Sequence, residues 1–249
     1  MSVVLNEREY AEAALEKCTL DQKPLETLSR VARYYADMGY KTSDIRLLLE
    51  TFMLKCDPGI NIVKWQDTID RQAKDASKYS LIEIEYIPIT QKELDVCNSL
   101  NGKQMKRLMF TLICLAKFAN EVNDKNNNWV NKQDREIFKT ANIVTSVKRQ
   151  SLMLNDLREL GLVRFSRKVD NVNINVECID NDGDPVLKIS DYRNLGYQFL
   201  KYLGEPYFEC QSCGLVVKRT SNRGKYCHDC AEEINRQKTL ENWKNETSM

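Results

Sequence analysis

The chain has 249 residues and a single histidine, His228. That scarcity excludes any two-histidine metal site and any HExxH zincin. A Ser-His-Asp or Cys-His arrangement would have to use His228, which lies inside a cysteine-rich tail. Glycine is also scarce, at nine residues, and neither a Walker A stretch nor a GxGxxG run occurs, so no phosphate-cradling loop is in view. The acids leave a carboxylate-only two-metal nuclease open in principle, but no motif marks one. Long apolar runs are missing as well. The longest, Leu108 to Ala116, contains Thr111 and falls far short of the roughly 20 residues that cross a bilayer. The start, MSVVLNEREY, has no basic segment followed by an apolar one, so no secretory signal is expected and a reducing intracellular compartment is the default.

An excess of one charge is lacking too. There are 37 bases and 36 acids, for a net charge of +1, which rules out a histone-like polyanion binder. The distribution is uneven. Residues 1–100 carry 13 bases and 17 acids, and the remainder 24 and 19. A nucleic-acid surface is therefore expected in the C-terminal part, and a protein partner or self-association for the acidic N-terminal part. Hydrophobic residues make up 42% of the chain, enough for a real core.

Residues 1–85 read as a helical bundle. Asn6 caps a helix running to about Cys18, with Tyr10, Ala13, Ala14 and Leu15 on one face. Pro24 opens a second, whose Leu25, Leu28, Val31, Ala32 and Tyr35 keep helical spacing, and Gly39 stops it. Thr42, Ser43 or Asp44 caps a third, carrying Ile45, Leu48, Leu49, Phe52 and Met53. Asp57-Pro58-Gly59 is a turn, and a fourth helix covers about 62–76. The pair joined at Gly39 reads as a helical hairpin or, alternatively, a helix-turn-helix. Leu81 to Ile89 alternate like a half-buried strand or an extended linker. Thr90-x-x-Glu93 is a capping box.

Residues 86–200 follow a different plan. Lys103 to Val122 is a long helix with a wide apolar face, which places it centrally. Asn123 to Asn128 is a loop, and Asn131 to Thr140 a second helix. A third, capped by Thr145 or Ser146, ends at Gly161 with Val147, Met153, Leu154, Leu157 and Leu160 inward. Leu162 to Lys168 and Val172 to Ile179 form two strands around a turn at Asp170-Asn171. Three helices and a ribbon give the order of a winged helix. The stretch from Leu154 to Val163 resembles the end of the third helix and start of the wing in many bacterial winged-helix regulators. Projected at about 100° per residue, the outward face of the third helix carries Thr145, Lys148, Arg149, Ser151, Leu152 and Asn155, residue types that reach phosphates and base edges. Arg164, Arg167 and Lys168 fall on the wing. The alternative is a solvated basic face diluted by Asp156 and Glu159. Asp180-Asn-Asp182-Gly-Asp184 departs from a calcium loop by Pro185 and reads as a turn.

Residues 201–249 hold Cys210-x2-Cys213 and Cys227-x2-Cys230. Two such pairs in a reducing compartment point to one structural Zn2+ held by Cys210, Cys213, Cys227 and Cys230. Leu215 to Val217 are expected to pair with the region near Tyr226, and a helix to run from Ala231 to about Trp243. Four thiolates close the site, and His228 stays outside it. Lys218, Arg219, Arg223 and Lys225 lie between the pairs without an intervening acid. They can grip phosphates, or offset the charge of a four-thiolate centre. Cysteines 18, 56, 97, 114 and 178 are expected in the core.

The wording Tyr-x-x-Cys-x-x-Cys-Gly, then Lys-Tyr-Cys-x-x-Cys-Ala, resembles the treble-clef or zinc-ribbon tails of phage and mobile-element proteins of Gram-positive bacteria. The rest of the chain also resembles phage proteins of such hosts. The resemblance implies zinc, a bacteriophage origin, the cytoplasm of a bacterial host cell, and contact with nucleic acid. The expectation is a mostly α, α+β chain: helical bundle, winged-helix-like domain and four-cysteine zinc module. It binds DNA without catalysis in replication or transcription control, with no membrane and no small-molecule substrate. The alternative is an inhibitor or adaptor of a host protein, such as a polymerase or defence nuclease, in which zinc serves only the fold. A third reading, RNA binding by the tail, draws on Tyr207, Phe208 and Tyr226.

Overall fold

A computed structural model describes residues 3–20, 23–166, 173–221 and 224–247. The chain is α+β and mostly α, and divides into two compact units, Met1–Tyr86 and Ile87–Met249.

The first unit is helical. Helix α1 (Glu7–Lys17) is capped by the Asn6 side chain, which accepts from the Glu9 amide, and ends at Cys18 in a left-handed conformation. Helix α2 (Pro24–Asp37) carries proline in its first turn and gives way to Gly39 at φ 85°. Helix α3 (Thr42–Cys56) starts after Lys41 with no side-chain cap, so none of Thr42, Ser43 and Asp44 plays that part. A short 3-10 turn leads into α4 (Gln66–Asp75). Ala11, Ala14, Leu28, Val31, Ala32, Ile45, Leu49, Phe52, Met53, Ile69, Ala73 and Ala76 form the core. Glu7, only 2% exposed, receives Arg33 on both carboxylate oxygens and Arg30 on one, and accepts the Ile82 amide. A buried carboxylate needs such partners. Residues 82–84 thereby return against the start of α1 through the Glu7 and Ile84 amides and a single bridge from Asn6 to Glu83. The expected strand over 81–89 is therefore reduced, because its first half is held by α1 and by Glu7.

The second unit opens with β1 (Ile87–Thr90) and α5 (Gln91–Ser99), joined by the full Thr90/Glu93 capping box. Helix α6 (Lys103–Val122) is buried continuously from Leu108 to Lys117. Then come β2 (Trp129–Val130), α7 (Asp134–Thr140), α8 (Val147–Glu159), β3 (Val163–Phe165) and β4 (Ile174–Val176). The three strands pair antiparallel in the order β2-β4-β3. Three helices with a short strand after the first, and that strand beside the last of the sheet, form a winged-helix-like domain. The strand β2 falls just after the segment expected as loop. Its Trp-Val pair is too short to show a period. Strand β5 (Pro185–Ile189) pairs with β1, Ile87 opposite Ile189. Helix α9 (Leu195–Tyr202) packs on α6, where Phe199 stacks on Phe110 at 4.6 Å. A hairpin of β6 (Tyr207–Glu209) and β7 (Val216–Lys218) leads to α10 (His228–Thr247).

Glu93 ties the middle of this unit together. It is fully buried, takes Lys117 Nζ on both oxygens at 3.0 Å, and accepts the Asp180 and Thr90 amides. Asp180 also lends its carbonyl to Lys117. No helix among the described residues is long and apolar enough to cross a membrane.

Candidate functional site

Strand β6 delivers Cys210 into a tight turn. The Gly214 amide donates back to the Cys210 carbonyl, Gly214 sits at φ 73°, and the Cys210 amide closes on Leu215. That positive φ suits glycine. The partner of β7 is β6, with Tyr207 opposite Lys218, and not the region near Tyr226 as expected from sequence. The Gln211 amide donates to the Lys225 carbonyl and brings the second pair alongside. Cys227 immediately precedes α10 and Cys230 lies in its first turn. This helix starts three residues before the expected Ala231, because the Cys227 carbonyl already accepts the Ala231 amide.

The four sulfur atoms lie within 4.8 Å of one another, and Cys213 Sγ is 3.7 Å from Cys227 Sγ. Cys210 and Cys227 are buried, and Cys213 and Cys230 are half-buried. Burial pushes the Cys210 thiol up, but the backbone amides of Cys227, Cys213 and Ser212 outweigh it and bring the thiol down to about 6. Burial raises Cys213 and Cys227. Four convergent thiols form a donor set suited to a metal ion. This is the metal-compatible group found among the described residues. His228 is exposed and faces Asp229 and Glu232. Of the other cysteines, Cys97 and Cys114 are buried, and Cys18, Cys56 and Cys178 are intermediate.

The winged-helix face is sharply divided. Ser146 caps α8 by accepting the Arg149 amide. Lys148 and Arg149 are exposed, with no partner carboxylate among the described residues. Ser151 and Leu152 are also exposed, and Thr145 and Asn155 half-exposed. The Ser151 hydroxyl bonds the Val147 carbonyl, and the Asn155 amide bonds the Ser151 carbonyl. Arg164 differs from Lys148 and Arg149. Its guanidinium pairs with Glu177 at 2.8 Å and lies over the Trp129 ring. Arg167 and Lys168 lie outside the described residues, as does Arg223.

Met153, Leu154 and Leu157 face inward as expected, but Val147 and Leu160 do not, at 76% and 61% exposed. Leu160 follows the last helical residue. Val147 is the first, and at that end Ala141 and Ile143 are the buried residues. Helical spacing carries no information on where the helix leaves the core. On the hairpin, Lys218 and Lys225 are exposed, and Arg219 lies 5.4 Å over the Phe208 ring. Phe208 thus serves as a base for a cation.

No protein-family model, curated protein or solved structure matches the chain.

Proposed function

We propose that the chain is a non-catalytic DNA-binding protein of a bacteriophage or mobile element, acting in the cytoplasm of a bacterial host. In this reading the winged helix grips duplex DNA and one structural zinc ion fixes the tail. The observation that carries it is the pairing of winged-helix topology with two cations, Lys148 and Arg149, on the exposed start of α8, which no carboxylate among the described residues opposes. That is the helix which enters the major groove in such modules, N-terminal residues first. Lys218, Arg219 and Lys225 add phosphate contacts from the hairpin.

Zinc fits the donor set. A tetrahedral ion with Zn–S bonds of about 2.3 Å holds its sulfurs about 3.8 Å apart. The Cys213–Cys227 separation of 3.7 Å is already of that size. Four protein ligands leave no open coordination position, which supports a structural and not a hydrolytic role. The closed four-thiolate set and the resemblance of the tail to phage zinc modules point the same way.

The test is a titration of labelled duplex across salt concentrations. Wild type should bind, with affinity falling steeply as salt rises. Lys148→Ala and Arg149→Ala should each weaken binding, and a phosphate-contacting cation among them should flatten the salt slope by about one unit. Arg164→Ala should leave the slope nearly unchanged, because Glu177 already compensates its charge. Failure of wild type to bind any duplex at low salt would end this reading.

A second reading has its own observation. Leu47 and Leu54, two turns apart on α3, are 61% and 42% exposed in the acidic first unit. They suit a protein partner, the host-protein inhibitor reading. A partner recovered from host extract after nuclease treatment, and lost with Leu47→Asp, would favour it.

A further inference from the structure

The start of α8 exposes two valines. Val144, in the turn before the cap, is 97% exposed, and Val147, the first helical residue, is 76% exposed. Among the described residues, the packing of the unit leaves both exposed. They flank Ser146 and adjoin Lys148 and Arg149, and no acidic residue occurs between Ala141 and Asn155. Whatever meets this surface must satisfy two demands at once. It must be anionic enough to match two cations that no carboxylate among the described residues compensates, and it must offer small apolar spots within a residue or two of them.

Duplex DNA meets both. Its phosphates match the cations, and the one apolar group on the major-groove floor is the 5-methyl of thymine. Valine is a suitable reader because its branched side chain has few rotamers to lose on contact. The N-terminal end of the helix is also the part that approaches base edges. We propose that Val144 and Val147 read thymine methyl groups, so that the preferred site carries thymines where the start of α8 meets the groove. This deepens the DNA-binding reading and rests on it.

The probe is a duplex selected by the full-length protein from a random pool. It is compared with the same duplex carrying uracil for thymine, which removes only the methyl groups and leaves phosphate charge and base-pair hydrogen bonding intact. Thymines should be enriched in the selected pool, and uracil should weaken wild-type binding roughly fourfold for each methyl that Val144 or Val147 covers, the effect of one buried methyl-sized group. The Val144→Ser/Val147→Ser variant should bind thymine and uracil duplexes alike, near the wild-type uracil level and with the wild-type salt slope. Its circular dichroism and thermal midpoint should match wild type, since both side chains are exposed. Equal wild-type binding of the two duplexes, an unenriched pool, or discrimination that survives in the variant overturns the inference while leaving DNA binding in place. Absence of any salt-sensitive duplex binding by wild type overturns both, and binding of an acidic protein through the same valines would then name the occupant instead.

Discussion

Asn142 and Asn194 clasp each other side chain to side chain, Asn142 Nδ2 donating to Asn194 Oδ1 at 2.8 Å, and both hold left-handed backbone angles, φ 55° and 51°. Asn142 lies in the turn between α7 and α8, and its carbonyl accepts Arg107 of α6. Asn194 caps α9 by position and donates to the Val216 carbonyl on the cysteine hairpin. Next to it, a side chain on Gly196 would collide with the Ala141 carbonyl. The turn that precedes α8 is therefore pinned to the strand that follows the first cysteine pair.

Two substitutions separate the backbone part of this clasp from the hydrogen-bonded part. Asn194→Gly keeps the left-handed angle at no steric cost and loses only the side-chain bonds, for about 1–2 kcal/mol. Asn194→Ala adds the penalty of a left-handed alanine and should cost about 2–4 kcal/mol in all. Urea unfolding of the two variants measures the difference. Equal stabilities would show that the backbone angle does not matter there.

Metal loss should act locally. Freshly purified, reduced protein should contain one zinc per chain by elemental analysis, and Cys213→Ser should contain none. Metal coordination contributes on the order of 10 kcal/mol to small metal-bound segments. Amides of 207–218 should then exchange rapidly in the variant, while those of α1 to α4 keep their protection. Unchanged exchange in the hairpin would mean the metal is not what holds it.

The Glu93–Lys117 pair is buried, with side chains 0% and 7% exposed. Removing one member leaves the other charged and uncompensated. Lys117→Met should destabilise the second unit by about 3–5 kcal/mol, measured by chemical denaturation. A double replacement, Glu93→Leu with Lys117→Met, should recover part of that loss although the cap on α5 is gone. A double variant no better than the single would mean that losing the Thr90 and Asp180 contacts of Glu93 costs as much as stranding its carboxylate.

Thiol reactivity should sort the cysteines. Burial pushes Cys97 and Cys114 well up, and pushes Cys56 and Cys178 up to about 11 each. The thiolate is the reactive form. At pH 8, iodoacetamide should therefore leave Cys97 and Cys114 unlabelled in folded protein and label them in denaturant. Mass spectrometry of the peptides reads this directly, and rapid native labelling of Cys114 would contradict its burial.

What is legible in the sequence is local. The Asn6 and Ser146 caps, the Thr90/Glu93 box and the Cys-x2-Cys pairs each depend on residues within one turn, and each is in place. The winged-helix order is legible because it follows helix and strand periods along the chain. The pairing of β1 with β5 is not, since no local pattern marks a partner so distant. Helix α9 escapes a reading of the sequence because its eight residues carry no start signal: Asn194 caps by backbone position and sends its side chain elsewhere. Val147 misleads because an apolar residue at helical spacing counts as core until the end of the contact is known. The Trp129 ring under Arg164 has the same origin, a meeting across the sheet which only the register of β2, β4 and β3 brings about.

The ladder between Ile87 and Ile189 sets a clock on the ribosome. Strand β1 leaves the exit tunnel roughly 100 residues before its partner exists, which at roughly 5–20 residues per second is a wait of about 5–20 s. During that interval Ile87 and Ile89, both fully buried at the end, have no strand to pair with, and Glu93 lacks the Asp180 amide. The capping box allows α5 to form meanwhile, so the nascent chain can hold a helix beside an unmatched strand. Until residues 185–189 emerge, the apolar side of β1 stays uncovered in the nascent chain, where the second unit begins.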